Sequence, residues 1–149
     1  MTADKRHVFQ VEIAATPEQI WEAMVNPEQT TGYFHETAFT ATELRPGGSY
    51  SYRSGDGVSV LTGEILEVDP PRRLVTTFSA QWDDGIRAEP PSRVTWEIEE
   101  RGDLCLVTVL HDQLERSPIT YESVVGGWPD ILVGLKNFVE TGVPAPAVG

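Results

Sequence analysis

Residues 117–142 read SPITYESVVGGWPDILVGLKNFVETG, with apolar side chains recurring every three or four positions. This period puts them on one face, so the segment is predicted to form one long amphipathic helix. Pro118 is typical of a helix start and Gly142 of a helix stop. The Gly126–Gly127 pair and Pro129 are expected to weaken or kink the middle. The apolar stripe consists of Tyr121, Val124, Val125, Trp128, Ile131, Leu132, Leu135, Phe138 and Val139.

The chain before this helix has mostly the pattern of β-strands. Residues 7–14 alternate apolar and polar side chains, which predicts a first strand with one buried face. Six more strands are predicted, and the turns between them are short and rich in Gly, Pro and Asp. Connections this short indicate an antiparallel meander. The six strands are predicted at residues 36–44, 49–53, 58–69, 73–82, 93–100 and 104–113.

Two short helices are predicted directly after the first strand. Thr16 is a candidate N-cap, Pro17 suits the first helical position, and Gln19 can close a capping box. This helix should stop near Asn26, because the proline that follows disfavours helical geometry there. A second short helix or turn is expected in the residues that follow, up to position 35.

These elements predict an α+β fold. The links between strands are too short for crossover helices, so a doubly wound sheet is excluded. A curved seven-stranded antiparallel sheet must bury one face, and the long C-terminal helix offers the largest apolar surface to cover it. A straight helix need not touch a curved sheet along its full length, so an apolar cavity between them is expected. We expect a single domain over residues 1–149 with a flexible tail at 143–149.

Composition and charge restrict the partners and the compartment. The 23 acidic and 11 basic residues give a net charge of −12, which repels nucleic acid and anionic lipid. Cys105 is the only cysteine, so no internal disulfide is expected. The chain shows no secretory signal and no apolar run long enough to span a membrane. These features predict a cytoplasmic protein with no nucleic-acid partner and no membrane insertion.

No known catalytic motif is found in the sequence. Nucleophile elbows, cysteine pairs, two-histidine metal helices, phosphate-binding glycine loops and calcium loops are missing, so no catalytic residue, metal or cofactor is predicted. His111 falls on the inner face of its strand, where burial would keep it neutral and let it bond a ligand carbonyl or hydroxyl. The alternative is a histidine satisfied by a core partner or facing solvent. The candidate cavity residues are Tyr33, Phe34, Phe78, Trp96, Val109, His111, Trp128 and Leu132.

Several motifs resemble a known family. Residues 15–28, ATPEQIWEAMVNPE, are similar to the opening of START-like (SRPBCC) proteins. PGGSY at 46–50, GEILEVDPPRRL at 63–74, the strand at 107–111 and the segment 126–142 resemble bacterial heat-shock-protein-90 ATPase activator homologues (AHSA type). The resemblance implies a helix-grip fold and no shared catalytic site. Chaperone activators carry an additional N-terminal domain, for which this chain has no room, so a chaperone partner is less expected.

Three functions stay open at this stage. The first is a non-enzymatic module that binds a small lipophilic or aromatic molecule in the cavity. The second is an enzyme of the cyclase, aromatase or dehydratase kind, which would use the same cavity with His111 moving a proton. The third is a chaperone-related protein-interaction module. A homodimer is compatible with all three.

Overall fold

The computed structural model describes residues 5–34 and 36–142, and the tail predicted at 143–149 lies outside this part of the chain. Seven strands and four helices follow one another along it. In chain order they are β1 (His7–Ile13), α1 (Pro17–Val25), α2 (Pro27–Thr30), β2 (Ala38–Ala41), β3 (Ser49–Arg53), β4 (Ser59–Asp69), β5 (Arg73–Ala80), α3 (Asp84–Arg87), β6 (Ser92–Arg101), β7 (Leu104–Asp112) and α4 (Pro118–Thr141).

The strands form one antiparallel sheet in the order β1-β7-β6-β5-β4-β3-β2. Every neighbouring pair from β2 to β7 is a sequential hairpin, and β1 returns to pair with β7 from His7 opposite His111 to Ile13 opposite Cys105. Bulges at Tyr52/Arg53 and between Ile65 and Glu67 interrupt the register and favour curvature. The prediction of an α+β helix-grip fold, with a curved seven-stranded sheet and a long terminal helix, is confirmed.

The first helix begins as its sequence predicts. The backbone N–H of Gln19 donates to Thr16 Oγ1 at 3.2 Å, and the backbone N–H of Thr16 donates to Gln19 Oε1 at 3.0 Å. This reciprocal capping box fixes the exit from β1. The second short helix starts at Pro27, with Asn26 as its N-cap.

Burial confirms the predicted phase of strands β6 and β7. In β6, Val94, Trp96 and Ile98 are buried in the core. In β7, the inner face is formed by alternate residues from Cys105 to His111, each at most 1% exposed. The intervening leucines of β7 are half-buried on the outer face.

Some boundaries differ from the predictions. β2 spans only Ala38–Ala41 rather than residues 36–44, and β5 ends at Ala80 rather than at position 82. The unpredicted helix α3 forms because Asp83 Oδ1 accepts a hydrogen bond from Ile86 N at 3.1 Å and Ile86 is buried. α4 continues through Pro129 without interruption.

Candidate functional site

A pocket of about 420 Å³ lies between the first half of α4 and the inner side of β4 and β5. Its volume falls within the usual range of small-molecule sites. Four aromatic rings, three hydroxyl side chains and no charged side chain contribute to its wall. The lining residues are Phe34, Thr37, Ser54, Val60, Leu61, Phe78, Trp82, Ser123, Val124, Gly127, Trp128 and Ile131.

The helical wall of the pocket follows from the spacing of residues in α4. Val124, Trp128 and Ile131 are buried and recur at intervals of four and three, so they share the face directed at the sheet. Gly127 lies between them without a side chain. A Cβ atom added there would meet no other atom within 4 Å, so this glycine leaves open space at the pocket.

The aromatic rings of the pocket contact one another in series. The ring centroids of Phe34 and Trp128 are 6.1 Å apart at 81°, and those of Phe78 and Trp82 are 6.4 Å apart at 81°. The rings of Phe78 and Trp128 are 6.2 Å apart. The first two pairs are near-perpendicular and the third is tilted at 49°, and together these contacts hold the wall in place. Trp82 is 49% exposed and marks the mouth of the pocket.

His111 lies behind this wall with both ring nitrogens engaged. The indole N–H of Trp128 donates to His111 Nδ1 at 3.0 Å, so Nε2 carries the proton and donates to Ser92 Oγ at 2.7 Å. Burial lowers the pKa of His111 to about 3, with a smaller lowering from His7 and an opposing effect of Asp112. His111 is therefore neutral and orients Trp128.

The segment between β5 and β6, residues 81–91, carries Trp82 and is tied to the start of α4. Glu89 accepts hydrogen bonds from Ile119 N at 2.9 Å, Thr120 N at 2.8 Å and Thr120 Oγ1 at 2.7 Å. Burial raises the pKa of Glu89, but these hydrogen bonds outweigh burial and leave the pKa below its ordinary value. The carboxylate caps a helix whose own N-cap, Ser117, forms no side-chain cap.

The structure brings three of the eight predicted site residues together at the pocket: Phe34, Phe78 and Trp128. Trp96 borders a separate void of about 10 Å³ behind them. The other four, Tyr33, Val109, His111 and Leu132, are buried but do not line the pocket. Tyr33, for example, donates its hydroxyl to Ala23 O at 2.7 Å within the core.

Sequence reasoning missed several lining residues. Val124 and Ile131 share the α4 stripe with Trp128, and that periodicity could have identified them. Trp82 was expected in a strand, so its position at the mouth could not be foreseen. Thr37, Ser54 and Ser123 carry no signal in the sequence that separates them from other polar residues of strands, turns and helices.

A larger depression of about 820 Å³ lies at the other end of the sheet, around the turn between β4 and β5. Its wall is charged, and several of its charges are paired. Arg73 contacts both Glu67 and Glu97, and Arg101 Nη2 lies 3.1 Å from Glu99 Oε2. This surface therefore lacks the apolar wall that a small lipophilic ligand needs.

The described residues contain neither a metal-binding cluster nor a membrane-spanning helix. Within residues 5–34 and 36–142, no group of three His, Cys, Asp or Glu side chains is placed to hold a metal ion. None of the helices in this part of the chain is long and apolar enough to cross a membrane.

Solved structures share this fold. CalU16 from Micromonospora echinospora is 24% identical, with a TM-score of 0.73 over 93% of this chain and 78% of its own. DynU16, encoded in the dynemicin biosynthetic locus, is 23% identical, with a TM-score of 0.76 over 95% of this chain and 49% of its own. The Aha1 dimer from Colwellia psychrerythraea is 14% identical, with a TM-score of 0.74 over 93% of this chain and 98% of its own. At these identities the likeness concerns the fold alone.

A family model gives the more specific relationship. No protein of curated function matches the chain. The model described as activator of Hsp90 ATPase homolog 1-like protein matches residues 14–140, which is most of the sequence. The START-like motif at residues 15–28 lies within this match and the AHSA-type segment at 126–142 lies largely within it, as the resemblance predicted. The chain therefore belongs to the family of activator of Hsp90 ATPase homolog 1-like proteins.

Proposed function

We propose that this protein binds a small lipophilic or aromatic molecule in the pocket between α4 and the sheet, without catalysing its conversion. The observation that carries the proposal is the pocket itself, about 420 Å³ in volume and lined by four aromatic rings and no charged side chain. Such a wall favours transfer of apolar surface out of water. The proposed partner is thus a small apolar molecule, and the proposed compartment remains the cytoplasm.

The position of His111 supports binding over the enzymatic alternative. A general acid or base works best with a pKa near the operating pH and within reach of the reacting atom. The pKa of His111 is lowered to about 3, both of its nitrogens are hydrogen-bonded within the core, and it does not line the pocket. A proton-transfer role for His111 is therefore not proposed.

The test uses a substitution that fills the pocket without disturbing its wall. In Gly127→Leu the added Cβ meets no atom within 4 Å, so the side chain is expected to extend into the pocket, and the change favours the helix by roughly 1 kcal/mol. Gly126→Leu is the matched control, because Gly126 also meets nothing within 4 Å but does not line the pocket. Protein expressed in its source organism is analysed by native mass spectrometry, followed by denaturing extraction.

We expect a lipophilic adduct on the unsubstituted protein and on Gly126→Leu, and its loss in Gly127→Leu. Calorimetry with 1-naphthylmethanol as a neutral probe should give the same order. If Gly127→Leu changes neither the adduct nor the affinity for the probe, any ligand binds outside this pocket. If the unsubstituted protein carries no adduct and does not bind the probe, the proposal is contradicted.

A chaperone-related interaction is the second candidate, because the family description names an activator of the Hsp90 ATPase. It predicts stimulation of a purified Hsp90 ATPase that Gly127→Leu leaves unchanged. A homodimer is compatible with either function.

A further inference from the structure

We propose that the pocket selects its ligand by charge, and that its preferred occupant is an apolar or aromatic molecule carrying a protonated amine. A carboxylate of the same shape is disfavoured. This inference rests on the proposed function, because it specifies the chemical class that binds in the same pocket.

The aromatic wall suits a cation. The negative face of an aromatic ring attracts ammonium groups, and indole does so most strongly. Two of the four rings that line the pocket are the indoles of Trp82 and Trp128. The pocket wall contains no lysine or arginine that would neutralise an anion or repel a cation.

Two of the three hydroxyl groups of the wall are better acceptors than donors. Thr37 Oγ1 donates to the Phe34 carbonyl at 2.6 Å, and Ser54 Oγ lies within hydrogen-bonding distance of the Asp56 carboxylate and the Val58 carbonyl. Since each hydroxyl has a single hydrogen, both residues offer only lone pairs to a ligand. The indole N–H of Trp128 is likewise donated to the core. A ligand with N–H groups meets acceptors here, whereas a carboxylate would lack these donors.

Three carboxylates are close in sequence to residues that line the pocket. Asp56 accepts a hydrogen bond from Ser54, Asp83 follows Trp82 in the chain, and Glu122 precedes Ser123. Hydrogen bonds from Ser54 and the backbone lower the pKa of Asp56, which keeps this carboxylate ionised. A net charge of −12 adds a field of the same sign, so cations are attracted to the mouth and anions repelled.

Nearby arginines do not offset this arrangement. Arg87 lies 3.2 Å from Asp84 Oδ1 and also donates to the Gln81 carbonyl at 2.9 Å. Arg53 donates to Ser51 Oγ at 3.2 Å and lines the outer face of β3, on the side of the sheet away from α4.

The experiment compares three naphthalene probes of similar shape: the amine 1-naphthylmethylamine, the alcohol 1-naphthylmethanol and the carboxylate 1-naphthaleneacetate. Their affinities are measured by calorimetry at pH 7 in about 20 mM and about 500 mM NaCl, since high salt screens charges at the mouth. We expect the amine to bind about tenfold more tightly than the carboxylate at low salt, with the alcohol between them. High salt should reduce the difference in affinity between the amine and the carboxylate.

Substitutions at the mouth test the origin of the preference. Asp83→Asn keeps an N-cap for α3, and Asp56→Asn keeps a turn-forming side chain, so both should fold. Each should weaken amine binding by about threefold and leave alcohol binding unchanged. Asp103→Asn is the control, because it removes the same single negative charge but lies in the β6–β7 turn, at the other end of the sheet from the pocket.

The two proposals fail in different ways. If the carboxylate binds as tightly as the amine at low salt, charge selection is overturned while the binding function stands. Equal effects of Asp83→Asn and Asp103→Asn on amine binding would also overturn it. If none of the three probes binds, the proposed binding function is contradicted as well.

Discussion

The indole nitrogen of Trp128 lies 3.0 Å from His111 Nδ1, so a residue of the pocket wall is hydrogen-bonded to a fully buried histidine of the sheet. This bond joins α4 to β7, and Ser92 extends it to β6. It fixes the rotation of the indole ring, which also contacts the rings of Phe34 and Phe78.

Trp128→Phe should lower the free energy of unfolding by about 2–3 kcal/mol, because it leaves His111 Nδ1 without its donor and removes buried ring atoms. Trp82→Phe is the control, since Trp82 is 49% exposed, and its effect should be below about 0.5 kcal/mol. Urea denaturation measures both. Equal effects of the two substitutions would refute the structural role of the bond.

Stability should fall as the pH drops below about 6.5. The pKa of His111 is lowered to about 3 in the folded protein, so between these values the unfolded chain binds the extra proton. Above about pH 6.5 His111 is neutral in both the folded and the unfolded state, so its full contribution to stability is present. Between about pH 6.5 and about pH 3 the free energy of unfolding declines by up to about 1.4 kcal/mol per pH unit. Urea denaturation between pH 7.5 and pH 5 measures the slope, and His111→Gln should reduce it. A flat profile would contradict the buried neutral state.

Glu89→Gln should destabilise the protein by about 1 kcal/mol, because a neutral side chain interacts less favourably with the N-terminus of α4. The pKa of Glu89 is lowered, so this stabilisation is present at neutral pH and lost as the pH falls through the folded value. Thermal denaturation measures the change, and faster amide exchange at Ile119 and Thr120 should accompany it. Glu64→Gln, at an exposed position in β4, serves as the control. Equal losses in the two variants would argue against the cap.

Gly126→Ala should raise the free energy of unfolding by about 0.5–1 kcal/mol. A Cβ at this exposed helical position meets no atom within 4 Å, and alanine restricts the unfolded chain. The same change at Gly63 is the contrast, because a Cβ there would lie 2.4 Å from the Thr77 carbonyl oxygen. Chemical denaturation should therefore give opposite signs for the two variants.

The fold was predictable where a period or a cap is local. The alternation in β6 and β7, the capping box at Thr16 and the stripe of α4 each depend on residues within a few positions of one another. Helix α3 was not predictable, because the N-cap Asp83 followed by only four helical residues has the composition of a turn.

The site was less predictable because it depends on distant contacts. The pattern of β7 predicted correctly that His111 lies on the inner face. Its partners in the core, Ser92 and Trp128, are 19 and 17 residues away in the sequence, so these hydrogen bonds could not be predicted from local patterns. Glu89 meets the start of α4 across 30 residues of sequence. Trp82 reaches the mouth because β5 ends two residues earlier than its pattern indicates.

The pairing of β1 with β7 also constrains how the chain can assemble during synthesis. Val11 is opposite Val107, and α4, which covers the sheet, comes later still. The meander from β2 to β7 can form hairpin by hairpin as it leaves the ribosome, but the first strand must wait for the seventh. Strand β1 therefore lacks its partner until β7 has been translated, and closure of the sheet is a non-local step.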